Sequence, residues 1–264
     1  MGLWLPVGTG VGVMELFGPI AGTRRLSEYT STIEGLKNSR RFKSVIINVD
    51  SPGGLATASD GLYCAVSRLS AEKPVVAFVS GACASGAYLA SCAATKIVVL
   101  PTAVIGSIGV LSVRPILQDL LDRVGVHVSV TKSGRLKDMG SFYRNPTEEE
   151  KRKEEELIAG FYDHFVSVVA KGRNMDESKV REVATGEVFL GEKAKALGLV
   201  DEVGDFDSAV DLAADLGKVA RRVMRVRRRP SLTERLFLRF TDSMLQETMA
   251  EAEGLLHRRI YYLG

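Results

Sequence analysis

One serine of this sequence lies where it could act as a nucleophile. Ser85 stands between Ala84 and Gly86 at the predicted start of a helix, within the run GACASGAY at residues 81–88. Its small neighbours leave the hydroxyl uncrowded, and the N–H of Gly86 would lie at the positive end of that helix. This geometry suits a nucleophile with a backbone donor for an oxyanion. The run is not a Gly-x-Ser-x-Gly motif, and small residues also occur where a helix packs closely on a sheet, so this segment alone leaves both interpretations open.

A lysine further along the chain could act as the base for this serine. Lys137 follows a predicted strand and lies in the run KSGRLKDMGSFYR at residues 132–144. A lysine can deprotonate a serine only when burial brings its pKa well below the usual value of about 10.4. Most lysines are exposed, so the residue type alone does not identify a base.

Two further turns combine glycine with polar residues. Residues 50–54, DSPGG, follow a predicted buried strand, and paired glycines there allow backbone N–H groups to approach a ligand. Residues 106–110, GSIGV, form a polar turn inside an apolar stretch and contain Ser107. Each turn by itself is also typical of an ordinary connection between two elements.

The elements that would position these residues alternate between strands and helices. The continuously apolar runs indicate a mostly parallel sheet with helices on both faces, an α/β fold. We predict strands at residues 11–18, 44–51, 74–81, 96–101, 126–134 and 220–229, and helices at 24–40, 55–69, 84–94, 113–124, 147–173, 176–184, 191–199, 205–217 and 231–259.

The composition is that of an ordinary globular protein. The 264-residue chain has 45% hydrophobic residues and a net charge of +3, which gives no reason to expect nucleic acid as a partner. Its three cysteines form no CxxC pair and its three histidines share no ligand spacing. We therefore expect no metal, no cofactor and no disulfide framework.

Positive charge is concentrated at the C-terminal end. Residues 218–264 contain 11 Lys and Arg against 5 Asp and Glu. We expect residues 1–217 to form one domain and residues 218–264 to extend it with a basic strand and an amphipathic helix. One hypothesis is that this extension docks on a membrane surface; the favoured alternative is that it packs or makes an oligomer contact.

Taken together, the segments resemble the signal peptide peptidase A family of Ser/Lys-dyad serine peptidases. The resemblance runs from about residue 11 to residue 204, and Ser85 and Lys137 are 52 residues apart, as in that family. The matching segments, in order along the chain, are DSPGG, GACASGAYLAS, GSIGV, KSGRLKDMGS and ALGLVDEVGD.

The resemblance implies a crotonase-like (ClpP-like) fold and a role for each of these segments. Ser85 would attack the scissile carbonyl, Lys137 would be the general base, and Ser107 would orient the lysine. The oxyanion would be held by N–H groups from Gly53 or Gly54 and from Gly86. The resemblance also implies a homo-oligomeric ring, in which neighbouring protomers can complete the dyad, and substrates that are signal-peptide remnants or other extended peptides bound as an added strand.

Members of that family usually carry an N-terminal membrane anchor. Here the first 14 residues are interrupted by glycines and a proline, and the uncharged residues 74–95 are predicted to be a strand followed by a helix. We find neither a signal peptide nor a transmembrane helix, and therefore expect a cytoplasmic or peripherally membrane-associated protein.

Three alternatives remain open. The first is a stomatin-partner-type Ser/Lys protease acting on membrane proteins, in which the interval between nucleophile and lysine is shorter. The second is a crotonase-type acyl-CoA enzyme, which would need an acidic residue, and no clear acid partner of Ser85 is found. The third is a catalytically inactive ring scaffold on the same fold, against which the presence of both Ser85 and Lys137 argues.

Overall fold

The structure is a computed structural model that describes residues 8–226. The helix predicted at 231–259, and with it most of the predicted C-terminal extension, lies outside the described residues. Among the helices of residues 8–226, none is both long enough and apolar enough to cross a membrane.

A mostly parallel β-sheet of eight strands lies at the centre of this part of the chain, as the apolar runs predict. Its order is β6-β5-β3-β2-β1-β8, with β4 paired to β3 and β7 paired to β4. Every pair is parallel except β5 with β6. The strands are β1 Gly10–Phe17, β2 Phe42–Ser51, β3 Val75–Ala84, β4 Lys96–Val99, β5 Val104–Gly106, β6 Val188–Leu190, β7 Glu202–Val203 and β8 Val223–Arg225.

Helices cover both faces of this sheet, which confirms the predicted α/β class. Alternate residues of β2 face opposite layers: Val45 and Ile47 pack with α1 and α2, whereas Ile46 packs with α8. The helices are α1 Gly22–Asn38, α2 Ala56–Ser70, α3 Gly86–Ser91, α4 Gln118–Arg123, α5 Glu148–Arg173, α6 Glu177–Val183, α7 Gly191–Ala196 and α8 Phe206–Gly217.

Strand β3 has two partners on the same side. Residues 76–79 pair with β4, and residues 82–84 pair with β5. On its other side β3 pairs with β2 over most of its length. The carboxyl end of β3 is therefore held between two neighbouring strands, and the chain leaves it directly into Ser85 and α3.

The long helix α5 has a buried half and a projecting half. Thr147 caps it, with its side chain accepting a hydrogen bond from the Glu150 N–H and the Glu150 side chain accepting one from the Thr147 N–H. Near the other end Phe165, Val166 and Val169 are buried in the core. At 1.5 Å per residue the 26-residue helix is about 39 Å long.

Residues 109–146, which we call the arm, depart most from the sequence predictions. The helix predicted at 113–124 is reduced to α4, and the strand predicted at 126–134 is wrong. Val126, Val128 and Val130 alternate as in a strand, but no strand of residues 8–226 pairs with them and each is more than 40% exposed. Elsewhere the helix predicted at 84–94 is shorter than expected, and the short strands β5, β6 and β7 were not predicted.

Candidate active site

Ser85 lies in a tight turn between β3 and α3. Its backbone has φ of 51° and ψ of −125°, a region that non-glycine residues rarely adopt. The Ser85 N–H donates to the Gly106 carbonyl at 2.8 Å, and its carbonyl accepts from the Leu89 N–H at 3.0 Å. Such a conformation costs about 1–3 kcal/mol and persists only where the surroundings enforce it. The neighbouring strand β5 and the first turn of α3 enforce it here.

The glycines of the DSPGG turn allow this turn to approach the serine closely. Gly53 has φ of 88°, and a Cβ atom there would lie 2.6 Å from both the Ala84 carbonyl oxygen and the Gly86 nitrogen. A hydrogen bond connects the DSPGG turn to the segment that contains Ser85: Asp50 Oδ1 accepts from the Ala82 N–H at 2.9 Å. The two segments that were predicted to form the oxyanion site are therefore neighbours.

The backbone N–H groups of these glycines differ in their partners. The Gly53 N–H donates to Ser51 Oγ at 3.2 Å. The N–H groups of Gly54 and Gly86 have no acceptor among residues 8–226. Both of these glycines line the same cleft as Ser85, whereas Gly53 does not. The geometry thus favours Gly54 over Gly53 as the second donor beside Gly86.

Ser107 lies near Ser85, directly after the end of β5. Its φ is 49°, and its N–H donates to the Glu187 carbonyl at 2.8 Å. The preceding residue, Gly106, accepts the Ser85 N–H, so the two serines are linked through one backbone group. The structure therefore brings Ser85, Ser107, Gly54 and Gly86 together in one cleft.

This cleft has a volume of about 1100 Å³ and lies between α2 and α5. Much of its lining is apolar, including Leu55, Leu89, Leu157, Phe161 and Phe165. An opening of this size with apolar walls and a few convergent polar groups is typical of a binding site.

Three polar residues of the cleft were missed by the sequence analysis. His164 Nε2 and Asp60 Oδ1 are 2.8 Å apart, although the two residues are 104 positions apart in the sequence. Ser59 is fully buried, and its hydroxyl has no hydrogen-bond partner in the described part of the chain. A Cβ atom on Gly86 would collide with this hydroxyl, so Ser59 lies directly behind the candidate oxyanion donor. No local motif marks any of the three.

Lys137 is not in this cleft. It lies in the turn of the arm, where its backbone N–H donates to the Gly134 carbonyl at 3.1 Å. Its side chain is exposed and forms no hydrogen bond or ion pair within residues 8–226.

The turn that contains Lys137 and the cleft that contains Ser85 contact different parts of α5. Arg144, which pairs with the neighbouring Asp138, binds Glu150 in the first turn of the helix. The cleft is lined by Glu156 to Phe165 of the same helix, about 9–22 Å further along its axis. Within residues 8–226, Lys137 therefore lies outside the cleft that Ser85 lines.

A thiol in the nucleophile segment does not compete with Ser85. Cys83 lies two residues earlier and is fully buried. Burial raises the pKa of this thiol to about 12, and its Sγ is 3.3 Å from the Ser91 hydroxyl. Because the thiolate is the nucleophilic form, Cys83 stays unreactive at neutral pH.

Comparison with known proteins finds a peptidase family and several proteases similar to this chain. The profile of peptidase family S49 matches residues 67–220. A candidate protease of Methanocaldococcus jannaschii is 37% identical over 192 residues, which cover 73% of this chain and 62% of that protein. A candidate protease of Synechocystis is 37% identical over 206 residues, covering 77% of this chain and 73% of that protein.

A third relative has a more specific name. A candidate signal peptide peptidase SppA of Enterococcus faecium is 35% identical over 184 residues, or 69% of this chain and 54% of that protein. The matched part thus spans between about half and three quarters of these three relatives.

Proposed function

Because the chain belongs to peptidase family S49, the signal peptide peptidase A family of serine peptidases, we propose that it is a serine endopeptidase with Ser85 as nucleophile and Lys137 as general base. One observation carries this proposal. Ser85 occupies a strained strand-to-helix turn that lines a large cleft, together with Gly54 and Gly86, whose N–H groups have no acceptor in the described part of the chain. A purely structural serine would not require this conformation.

In the proposed reaction the Ser85 hydroxyl attacks the carbonyl carbon of the peptide bond while its proton passes to the neutral amine of Lys137. The carbonyl oxygen becomes an oxyanion that accepts hydrogen bonds from Gly54 and Gly86. The C–N bond then breaks, and the Lys137 ammonium gives its proton to the leaving amine, which leaves an ester on Ser85. Water, deprotonated by Lys137, hydrolyses the ester and returns the serine.

We propose that the lysine comes from a neighbouring copy of the chain. Lys137 is exposed and does not line the cleft that contains the Ser85 of its own chain. The arm that carries it also exposes large apolar side chains: Leu111, Val113 and Val124 are each more than 60% exposed. Exposed apolar surface of this kind is typical of a protein interface. A second copy seated there would bury both the apolar side chains and the amine, and Ser107, in the cleft, would orient the amine.

The substrates we propose are extended peptides, including remnants of signal peptides. The cleft has a volume of about 1100 Å³ and is largely apolar, so it suits an unfolded apolar segment better than a folded surface. The name of the Enterococcus faecium relative points to the same class.

Labelling with a fluorophosphonate tests the nucleophile. The purified full chain should become labelled on Ser85, as located by peptide mass spectrometry, and should cleave casein. Ser85→Ala should lose both the label and the cleavage, and Lys137→Ala should reduce both by about 10³-fold or more. Lys195→Ala, which removes an exposed lysine of α7, serves as the control and should retain both. Full cleavage by either dyad variant would refute the assignment.

A further inference from the structure

A cluster of ion pairs surrounds the residue next to the proposed base. The Asp138 carboxylate, only about 10% exposed, has both of its oxygens engaged. Oδ1 accepts from Lys132 Nζ at 2.6 Å, and Oδ2 accepts from Arg144 Nε at 2.9 Å and from the Tyr143 hydroxyl at 3.3 Å. The side chain of Lys137, one position earlier, takes no part in the cluster.

The cluster extends to the first turn of α5. The two terminal nitrogens of Arg144 donate to the two carboxylate oxygens of Glu150, at 2.8 and 2.5 Å. Glu150 is 2% exposed and also accepts the Thr147 N–H, as part of the helix cap. Two cations, Lys132 and Arg144, thus neutralise two anions, Asp138 and Glu150.

The carboxylates of the cluster remain ionised over the working range of a peptidase. Arg144 and the Thr147 N–H lower the pKa of Glu150 to about 2. Arg144 and Lys132 hold the pKa of Asp138 well below its usual range. Both carboxylates therefore carry their charge at any pH at which a lysine could act as base.

This charge balance matters because the base must be neutral. An unpaired carboxylate beside a lysine favours the ammonium form and so opposes proton loss. In the cluster, Asp138 is instead occupied by Lys132 and Arg144. Other charged groups near the turn are also paired: Arg135 pairs with Glu149, and Arg114, close to Gly140, pairs with Glu154. Helix α4 contributes the uncharged Gln118.

We propose, on the premise that Lys137 is the general base, that Lys132 and Arg144 are positioning residues that keep the Asp138 carboxylate from retaining the proton on Lys137. The cluster would therefore have a second role besides holding the arm in its position. It would set the pH at which the amine becomes available to Ser85.

Two variants of the same ion pair separate this role from bracing. Arg144→Gln leaves both Asp138 and Glu150 partly uncompensated, so Lys137 should hold its proton more tightly. The acid limb of the pH profile of kcat/KM should move to higher pH by about half to one unit, which lowers activity at pH 7 by about three- to tenfold. Activity should recover at alkaline pH.

Asp138→Asn breaks the same pair and should have the opposite effect. It removes the carboxylate and leaves the two cations, so Lys137 should lose its proton more readily and the acid limb should move to lower pH. A cluster that only braces the arm would lose activity in both variants at every pH. Arg135→Gln is the matched control, because it removes one positive charge from the same turn but leaves Asp138 paired.

A second measurement keeps the two proposals separable. Trace acetylation of the full chain over a range of pH, read at Lys137 by peptide mass spectrometry, follows proton loss from this amine without requiring activity. Opposite shifts of its midpoint in Arg144→Gln and Asp138→Asn support the inference. Shifts in the same direction, or none larger than that of Arg135→Gln, overturn it. Activity retained in Lys137→Ala would instead refute the proposed function while leaving the acetylation result to decide the charge effect.

Discussion

The regions around Ser85 and Lys137 are built in different ways. Ser85 follows a strand that is paired on both sides, and its backbone is hydrogen-bonded to β5 and to α3. Lys137 lies on the arm, which has a single six-residue helix, α4, and many exposed side chains. Ion pairs of Arg144 connect its turn to the rest of the fold: Arg144 binds Asp138 in the turn and Glu150 in the first turn of α5.

The different surroundings of Ser85 and Lys137 indicate which parts of the proposed site one chain can form by itself. Strand β5, helix α3 and the DSPGG turn together hold the proposed nucleophile and its two proposed N–H donors. The arm fixes the position of the base relative to α5 but leaves the amine in solvent. Because burial lowers the pKa of a lysine, we propose that the surface of a neighbouring copy covers this amine.

The largest difference in activity between variants of the two regions is expected when one methyl group is added at Gly53. Gly53→Ala would introduce a Cβ atom 2.6 Å from the Ala84 carbonyl oxygen, at a φ that disfavours any side chain. We expect a loss of kcat/KM of about 10²-fold or more, because the oxyanion donors shift. Gly134→Ala on the arm is the matched control, since nothing lies within 4 Å of its added methyl group. Similar losses in both variants would contradict the difference between the two regions.

A smaller effect is expected from charge on the exposed apolar side chains of the arm. In the double variant Val113→Glu/Val124→Glu each chain should stay folded, as measured by circular dichroism, because both positions are more than 60% exposed and neither lines the cleft. The particle should be smaller by light scattering, and casein cleavage should fall by about tenfold. Lys195→Glu, an exposed change on α7, should alter neither. An undiminished particle size with full activity would show that no second copy covers the arm.

The smallest effect concerns how the thermal stability of the protein depends on pH through Glu150, the residue of α5 that binds Arg144 of the arm. The pKa of Glu150 in the folded state is about 2, below its ordinary value of 4.5, so this residue stabilises the fold above that ordinary value. The stabilisation is lost as the pH falls from about 5 towards 2. Glu150→Gln should therefore lower Tm at pH 7 by about 2–4 °C and should flatten the decline of Tm at acid pH. Tm curves that run parallel for both proteins would contradict this.

The parts of the molecule that sequence analysis predicted are those governed by local patterns. The continuously apolar runs at residues 11–18, 44–51, 74–81 and 96–101 follow a local rule, and the structure has a strand at each of them. The Asp60–His164 pair could not be predicted, because α2 and α5 bring together residues 104 positions apart. The strand expected at 126–134 failed for a related reason. Its valines alternate correctly, but a strand also needs a partner, and the described part of the chain offers none there.

The proposed sharing of the site between chains is tested most directly by mixing two inactive proteins. Ser85→Ala retains Lys137, and Lys137→Ala retains Ser85, so neither should cleave casein alone. When equal amounts are refolded together, a neighbour's lysine should meet an intact serine at about a quarter of the sites, and about that fraction of wild-type activity should return. A mixture that stays inactive, although differently tagged chains co-purify in one particle, would show that Ser85 does not take its base from a neighbour.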